Sequence, residues 1–225
     1  MVDVQENYRY FEEVARPVSF PEDQQRDRAD LAHLPAGAAA TFRKYGKFST
    51  HEGRMIFCQS QLLSGVLPLV FHGDSDLHHS HVSVYAYSAF GTLFCWSHKL
   101  KIIEIDLFRS IVKCKALLHE KYLRYDPDMV FAVSSRLDDP DLLDAEDHDG
   151  KLLFSRAKKK LGPLNYGECY GFRLAPALGG RRTLDKLERV SAPEHFSFLA
   201  QLQPFTLIDY DTTQDFGLRV IRQIG

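Results

Sequence analysis

The stretch from His81 to Ile105 constrains the fold of this chain more than any other. Val82, Val84 and Ala86 alternate with Ser83, Tyr85 and Tyr87. That period of two predicts a strand with two different faces. Gly91 then marks a turn, and Thr92–Ser97 and Leu100–Ile105 are rich in β-branched and aromatic residues. They predict two further strands. Strands separated by so few residues must run antiparallel, because a parallel crossover needs a dozen or more residues. Arg54–Cys58 predicts another strand. The fold class that follows is α+β, an antiparallel meander with flanking helices.

The helices are set by local signals. Asn7–Val14 predicts a short one. Pro17, Pro21 and the charged stretch to Asp30 predict a loop. Leu34-Pro35 opens a second helix with Ala38, Ala39, Phe42 and Tyr45 on one side, where Pro35 suits the first turn and Gly46 the stop. Leu62–Val70 is mostly apolar and fits helix or strand. Phe108–Tyr122 predicts a helix.

Charge is distributed unevenly. From Asp138 to Asp149 there are seven acidic residues and no Lys or Arg, whereas Lys151–Arg189 holds ten Lys or Arg against Glu168, Asp185 and Glu188. The composition shift predicts a division into residues 1–137, an acidic linker at 138–150 and a small, mostly helical α+β domain at 151–225. Within the last, Lys151–Lys160 predicts an amphipathic helix, with Asp149 as N-cap and Leu153, Phe154, Ala157 and Leu161 on one face. Leu161–Gly180 packs five glycines and two prolines among aromatic and aliphatic residues, so its backbone takes several special turns. Glu168–Leu174 predicts a strand and Thr183–Val190 a short helix. Ser191 and Glu194 form a capping-box pattern before a helix carrying Phe196, Leu199 and Leu202.

Chemistry-bearing motifs are scarce. His72, His78, His79 and His81 cluster near Asp74 and Asp76, but their spacing matches no zinc motif, and a solvated polar loop is the simpler reading. Asp147-His148-Asp149-Gly150 has an EF-hand look, yet that alignment places Ala145 and Arg156 where calcium needs oxygen ligands. No GxSxG, HExxH, Walker loop or GxGxxG pattern is present. The expectation is therefore no catalytic residue, no cofactor and no metal. Cys58, Cys95, Cys114 and Cys169 are scattered without a CxxC, and the N-terminus lacks the basic and apolar regions of an export signal, so reduced thiols in the cytoplasm are expected. A formal net charge of −2 over 225 residues argues against a dedicated nucleic-acid binder. Trp96 reads as a core residue.

Two stretches resemble known families. Ser88-Ala-Phe-Gly-Thr-Leu-Phe-Cys-Trp96 is similar to the AFGxLxxW core of the GAD-like domain, and the Leu34-Pro35 helix fits the same domain. Leu153-Phe-Ser-Arg-Ala, Leu161-Gly-Pro-Leu, Glu168, Tyr170-Gly-Phe, Pro176-Ala-Leu-Gly-Gly180 and His195-Phe-Ser-Phe-Leu-Ala-Gln-Leu202 together resemble the C-terminal domain of type VI secretion immunity proteins that accompany DNase effectors. The resemblance spans roughly residues 8 to 203 and leaves out the tail from Phe205 to Gly225. It implies a bacterial immunity protein whose partner is a cognate DNase toxin, and it carries over no catalytic residues.

A DNase presents a basic DNA-binding face. The acidic run is accordingly the expected toxin contact, through Asp138, Asp139, Asp141, Asp144, Glu146 and Asp147. The competing expectation is a DNA-binding regulator using the basic stretch 151–189. A third is a metal-dependent enzyme built on the histidine loop.

Overall fold

The computed structural model describes residues 4–21, 31–136, 139–211 and 217–225. Helices α1 (Val4–Ala15) and α2 (Ala36–Tyr45) flank the short strand β1 (Val18–Ser19). Strands β2 (Phe48–Thr50) and β3 (Met55–Phe57) follow, then a short helix α3 (Leu67–Val70). Strands β4 (Ser83–Ser88), β5 (Thr92–Ser97), β6 (Lys101–Asp106) and β7 (Ile111–Lys113) come next, then helices α4 (Lys115–Leu118) and α5 (Pro127–Arg136). The remainder holds α6 (Phe154–Leu161), β8 (Glu168–Phe172), β9 (Leu187–Ser191), α7 (Ala192–Leu199), β10 (Thr206–Asp211) and β11 (Gly217–Gln223).

Nine of these strands form one sheet in the order β1-β2-β3-β4-β5-β6-β7-β10-β11, and β8 and β9 form a separate pair. From β1 to β7 each strand pairs antiparallel with the next. Then the chain leaves the sheet, and β10 returns beside β7 in parallel, with Leu207 opposite Val112.

One irregularity decides which side chains go where. Val84 pairs with Cys95 and Ala86 with Phe94, so Tyr85 is an extra residue on β4. This β-bulge breaks the alternation seen in the sequence. Val84 and Tyr87 share one face with Leu93, Cys95, Ile103 and Ile105. Tyr85 and Ala86 both turn to the other, with Phe94 and Trp96. The first face is covered by α3 and α7 through Val66, Leu67, Val70, Phe196 and Leu199. The second is covered by α1, α2 and α5 through Phe11, Phe42 and Phe131. Here Phe57 stacks on Phe48 at 4.3 Å and Tyr85 meets Phe131 at 4.5 Å. Each such fully buried side chain contributes roughly 1.5–3 kcal/mol.

The two motif strings meet in space. Ala89-Phe90-Gly91 forms the tip of the β4–β5 hairpin, where Ser88 Oγ accepts the Thr92 N–H at 2.9 Å and Gly91 takes φ 96°. Ala89 O accepts the Tyr170 N–H of β8 at 2.8 Å, and a Cβ on Gly91 would lie 3.3 Å from the Phe196 ring. Tyr87 Oη accepts the Gly167 N–H at 3.0 Å. Cys169, Ala192, Phe196 and Leu207 belong to the same buried cluster as Ile56 and Ile103.

Several local expectations change. Segment 151–225 is not mostly helical: its described residues carry four strands and two α-helices, and β10 and β11 complete the large sheet. Residues 108–122 are not one helix, because Ile111-Val112-Lys113 fills the slot between β6 and β10. Thr183–Val190 gives a 3₁₀ turn at Leu184–Lys186 and then β9, since β8 needs a partner for its ladder. Leu62–Val70 resolves into the end of a 3₁₀ turn and the short α3. Ser191 precedes α7 without a capping hydrogen bond.

Candidate protein-binding surfaces

The acidic segment is tightly built. Asp139 caps a 3₁₀ turn at Pro140–Leu143, its carboxylate accepting the Asp141 N–H at 3.1 Å. Leu143 is buried among the helices of the second sheet face, and Ala145 is buried against Leu153 and Phe154. These two apolar anchors dictate which acidic side chains point inward.

Asp144 is one of them. Its Oδ1 accepts N–H groups from Ala145 at 2.8 Å, Leu153 at 3.1 Å and Phe154 at 2.8 Å. Asp144 thus covers the Phe154 N–H that opens α6 and shares the Leu153 N–H with Ala145 O, the task the sequence assigned to Asp149. The reason is geometric: α6 begins at Phe154, four residues too late for Asp149 to serve as N-cap. Burial raises the Asp144 carboxyl above its ordinary range, against the pull of those backbone bonds.

Asp147 is the other. It is buried, its Oδ1 accepts N–H groups from Asp149 at 3.0 Å and Lys151 at 2.9 Å, and its Oδ2 takes Arg156 Nη1 at 2.6 Å. The Arg156 guanidinium is the first cause that holds this carboxyl down, to about 2. Asp144 and Asp147 are therefore committed within the protein.

The outward acids form a surface. Asp139, Asp141 and Glu146 are exposed. Asp138 lies outside the described residues. Leu142 projects among the outward acids at 73% exposure, a large apolar side chain in the middle of a charged run. Arg54 lies 3.7 Å from Asp141 and stacks on Phe154 at 4.5 Å, which ties the turn to the connection between β2 and β3.

The basic stretch is largely spent on internal contacts. Lys158 Nζ donates to Glu52 O at 2.8 Å and Lys160 Nζ to Leu184 O at 3.2 Å. Arg173 pairs with Glu188, and Arg189 Nη1 donates to Pro163 O at 3.0 Å. These bonds dock α6 and the β8–β9 pair instead of forming a continuous cationic track.

The histidine loop also has a structural explanation. His78 stacks on His79 at 4.7 Å, while Asp74 turns away to hold Arg222. Among the described residues no group of three or more His, Cys, Asp or Glu side chains is arranged to hold a metal ion. All four cysteines are free and buried. No helix among the described residues is long and apolar enough to cross a membrane.

A second surface has no counterpart in the sequence reading. A cleft of about 670 Å³ opens over β6, β7 and β10 between α5 and the segment following β7. Phe94, Ile102 and Ile208 lie in it below Val130 and Val133 of α5. Its residues come from five separate stretches, so no local pattern marks it.

An α+β scaffold carrying an acidic turn with an apolar tip and an open apolar cleft is suited to holding another protein. Residues 13–109 match the GAD-like domain family, and residues 134–203 match the family described as T6SS immunity protein Tdi1, C-terminal. The two matches follow one another along the chain, and together they support an immunity function. The C-terminal match begins ahead of the acidic segment. Over 97% of its length the chain also resembles the crystal structure of Atu4351 from Agrobacterium tumefaciens, at 27% identity, 98% coverage of that chain and a TM-score of 0.85. No curated protein matches the sequence.

Proposed function

We propose that this protein is the immunity partner of a DNase effector of a type VI secretion system, and that it protects the bacterial cytoplasm by binding that toxin stoichiometrically. The observation that carries this reading is the family match at residues 134–203. The exposed acids of the 139–146 turn agree with it, because a nuclease must present cationic surface to DNA. The active principle is occlusion, with no bond chemistry performed by the immunity protein itself. Such protection requires slow dissociation, which comes from a few well-packed apolar or aromatic anchors. Asp139, Asp141 and Glu146 are proposed to steer the encounter and Leu142 to anchor it, with Asp144 and Asp147 shaping the turn from beneath. Asp138 is proposed to join them.

Cells expressing the proposed cognate DNase effector test the reading. Survival and intact chromosomal DNA are expected when the immunity protein is co-expressed, with a stable complex on size-exclusion chromatography. Equal killing with and without it would refute the proposal. The competing reading, DNA binding through Lys151–Arg189, predicts affinity for duplex DNA that falls steeply with salt. The internal commitment of Lys158, Lys160, Arg173 and Arg189 speaks against it.

A further inference from the structure

The cleft over β6, β7 and β10 has the volume of a built recognition site, about 670 Å³. Sites of this size are mostly apolar, with a few placed polar groups. Ile102 and Ile208 supply apolar floor, and Met129, Val130 and Val133 supply one wall. The rim is open: Tyr125 is 51% exposed and Val133 47%. Nothing in the fold explains leaving these side chains in water, since α5 already buries Phe131 on the sheet.

The charges of the cleft are unequal in their commitments. Glu104 is paired with Lys113 across the β6–β7 ladder. Asp209 meets His119 Nε2 at 2.7 Å. Asp126 accepts the Met129 N–H at 3.1 Å, at the start of α5. Each carboxylate is thus already engaged. Two cations are not matched in this way. Lys101 Nζ lies 6.0 Å from the Trp96 ring centre, and Lys115 Nζ lies 5.5 Å from that of Tyr122. Among the described residues neither has a carboxylate within ion-pair distance. Ring faces attract an ammonium only modestly, so both lysines retain the capacity to pair with an incoming anion.

We propose that this cleft receives an apolar segment of the toxin that carries at least one carboxylate, its side chains seated against Val130, Val133 and Ile208 and its acid paired with Lys101 or Lys115. The inference rests on the reading of the protein as a toxin-binding immunity factor, and it adds a second contact of opposite character to the acidic turn. The two surfaces are mechanically linked. Phe131 of α5 and Leu143 of the acidic turn pack in one buried cluster, so α5 presents the cleft on its flank and the turn beyond its C-terminal end. A toxin held at both would present a cationic face to the turn and an apolar, acidic element to the cleft.

The test uses the full-length protein and a catalytically inactive form of the proposed cognate DNase effector, with binding followed by biolayer interferometry. Val133→Asp is expected to raise Kd about tenfold or more, mainly through faster dissociation. Lys101→Glu with Lys115→Glu is expected to raise it comparably and to alter its salt dependence, and this variant keeps the test valid if Val133→Asp does not fold. Wild-type binding with both variants unchanged would overturn the cleft assignment alone. A wild-type protein that does not bind the toxin at all would overturn the functional reading and this inference with it. Dodecanoate serves as a control ligand in calorimetry. If it binds and Val133→Asp abolishes that binding while toxin affinity stays unchanged, the cleft belongs to a free amphipathic anion and the proposal fails.

Discussion

Asp74 and Arg222 are 148 residues apart in sequence and meet in a two-point ion pair, Nη2 to Oδ1 at 3.0 Å and Nη1 to Oδ2. The Asp74 side chain is fully buried. It also accepts N–H groups from Asp76 at 3.0 Å and Leu77 at 2.9 Å, and Arg222 reaches Asp76 at 2.7 Å. The pair fastens β11 to the loop after α3. Arg222→Ala would leave a buried carboxylate without its cation and is expected to cost about 3 kcal/mol, read from urea unfolding.

The same pair sets an acid limit. Arg222 is the first cause that holds the Asp74 carboxyl well below the usual carboxylate range. A depressed folded-state value means the stabilisation is complete above the unfolded value, about 3.9, and is lost as pH falls below it. The urea midpoint of the wild type is therefore expected to drop more steeply below about pH 4 than that of Asp74→Asn, whose side chain cannot titrate. Parallel pH profiles would remove Asp74 from the acid response.

The acidic turn divides its residues by task, and substitution should separate them. Asp139→Asn with Asp141→Asn and Glu146→Gln is expected to leave stability nearly unchanged while slowing association with the toxin and flattening its salt dependence. Asp144→Ala should do the opposite. It removes the acceptor of the Leu153 and Phe154 N–H groups at the start of α6, and of the Ala145 N–H, and is expected to cost about 1–2 kcal/mol, with little effect on the association rate at temperatures where the variant stays folded.

Adjacent glycines should behave differently. A Cβ on Gly180 would fall 1.9 Å from Leu174 O, a backbone atom that cannot step aside. At Gly179 nothing lies within 4 Å, and the only cost is its φ of 84°. Gly180→Ala is expected to destabilise by about 2–3 kcal/mol and Gly179→Ala by about 1 kcal/mol. Thermal denaturation of the two variants reads the order directly, and a reversed order would contradict the packing described for this loop.

Thiol chemistry offers a check on the core. Cys58, Cys95, Cys114 and Cys169 are each at most 1% exposed, and burial raises all four thiols, Cys114 to about 11. With neither access nor thiolate, the native protein is expected to react with a disulfide reagent about 100-fold or more slowly than the urea-unfolded chain. One fast equivalent in the native state would show that a strand covering these thiols opens readily.

What the sequence revealed was local. The strands at 83–106, the helix after Pro35 and its stop at Gly46 all follow from period, β-branching and punctuation within a few residues. The bulge at Tyr85 was not readable, because Val82 to Tyr87 alternates without a break and only the register against Cys95 and Phe94 exposes the extra residue. Strand β7 was concealed because Ile111-Val112-Lys113 is too short to show a period, and its identity depends on β10 arriving from almost a hundred residues away. The acidic run was conspicuous, but the inward turn of Asp144 and Asp147 is set by Leu143, Ala145 and Arg156, so composition alone could not separate surface acids from structural ones.

The parallel seam between β7 and β10 also governs how the chain reaches its native state. While a ribosome is still making the middle of the molecule, β7 has backbone groups with no mate on one side, and the side chains awaiting Leu207 remain wet. Only when residues 206–223 emerge can the hairpin they form zip onto that margin. A nascent polypeptide paused before that point carries a sticky border, and interruption of synthesis there would favour clumping over a shortened but working product.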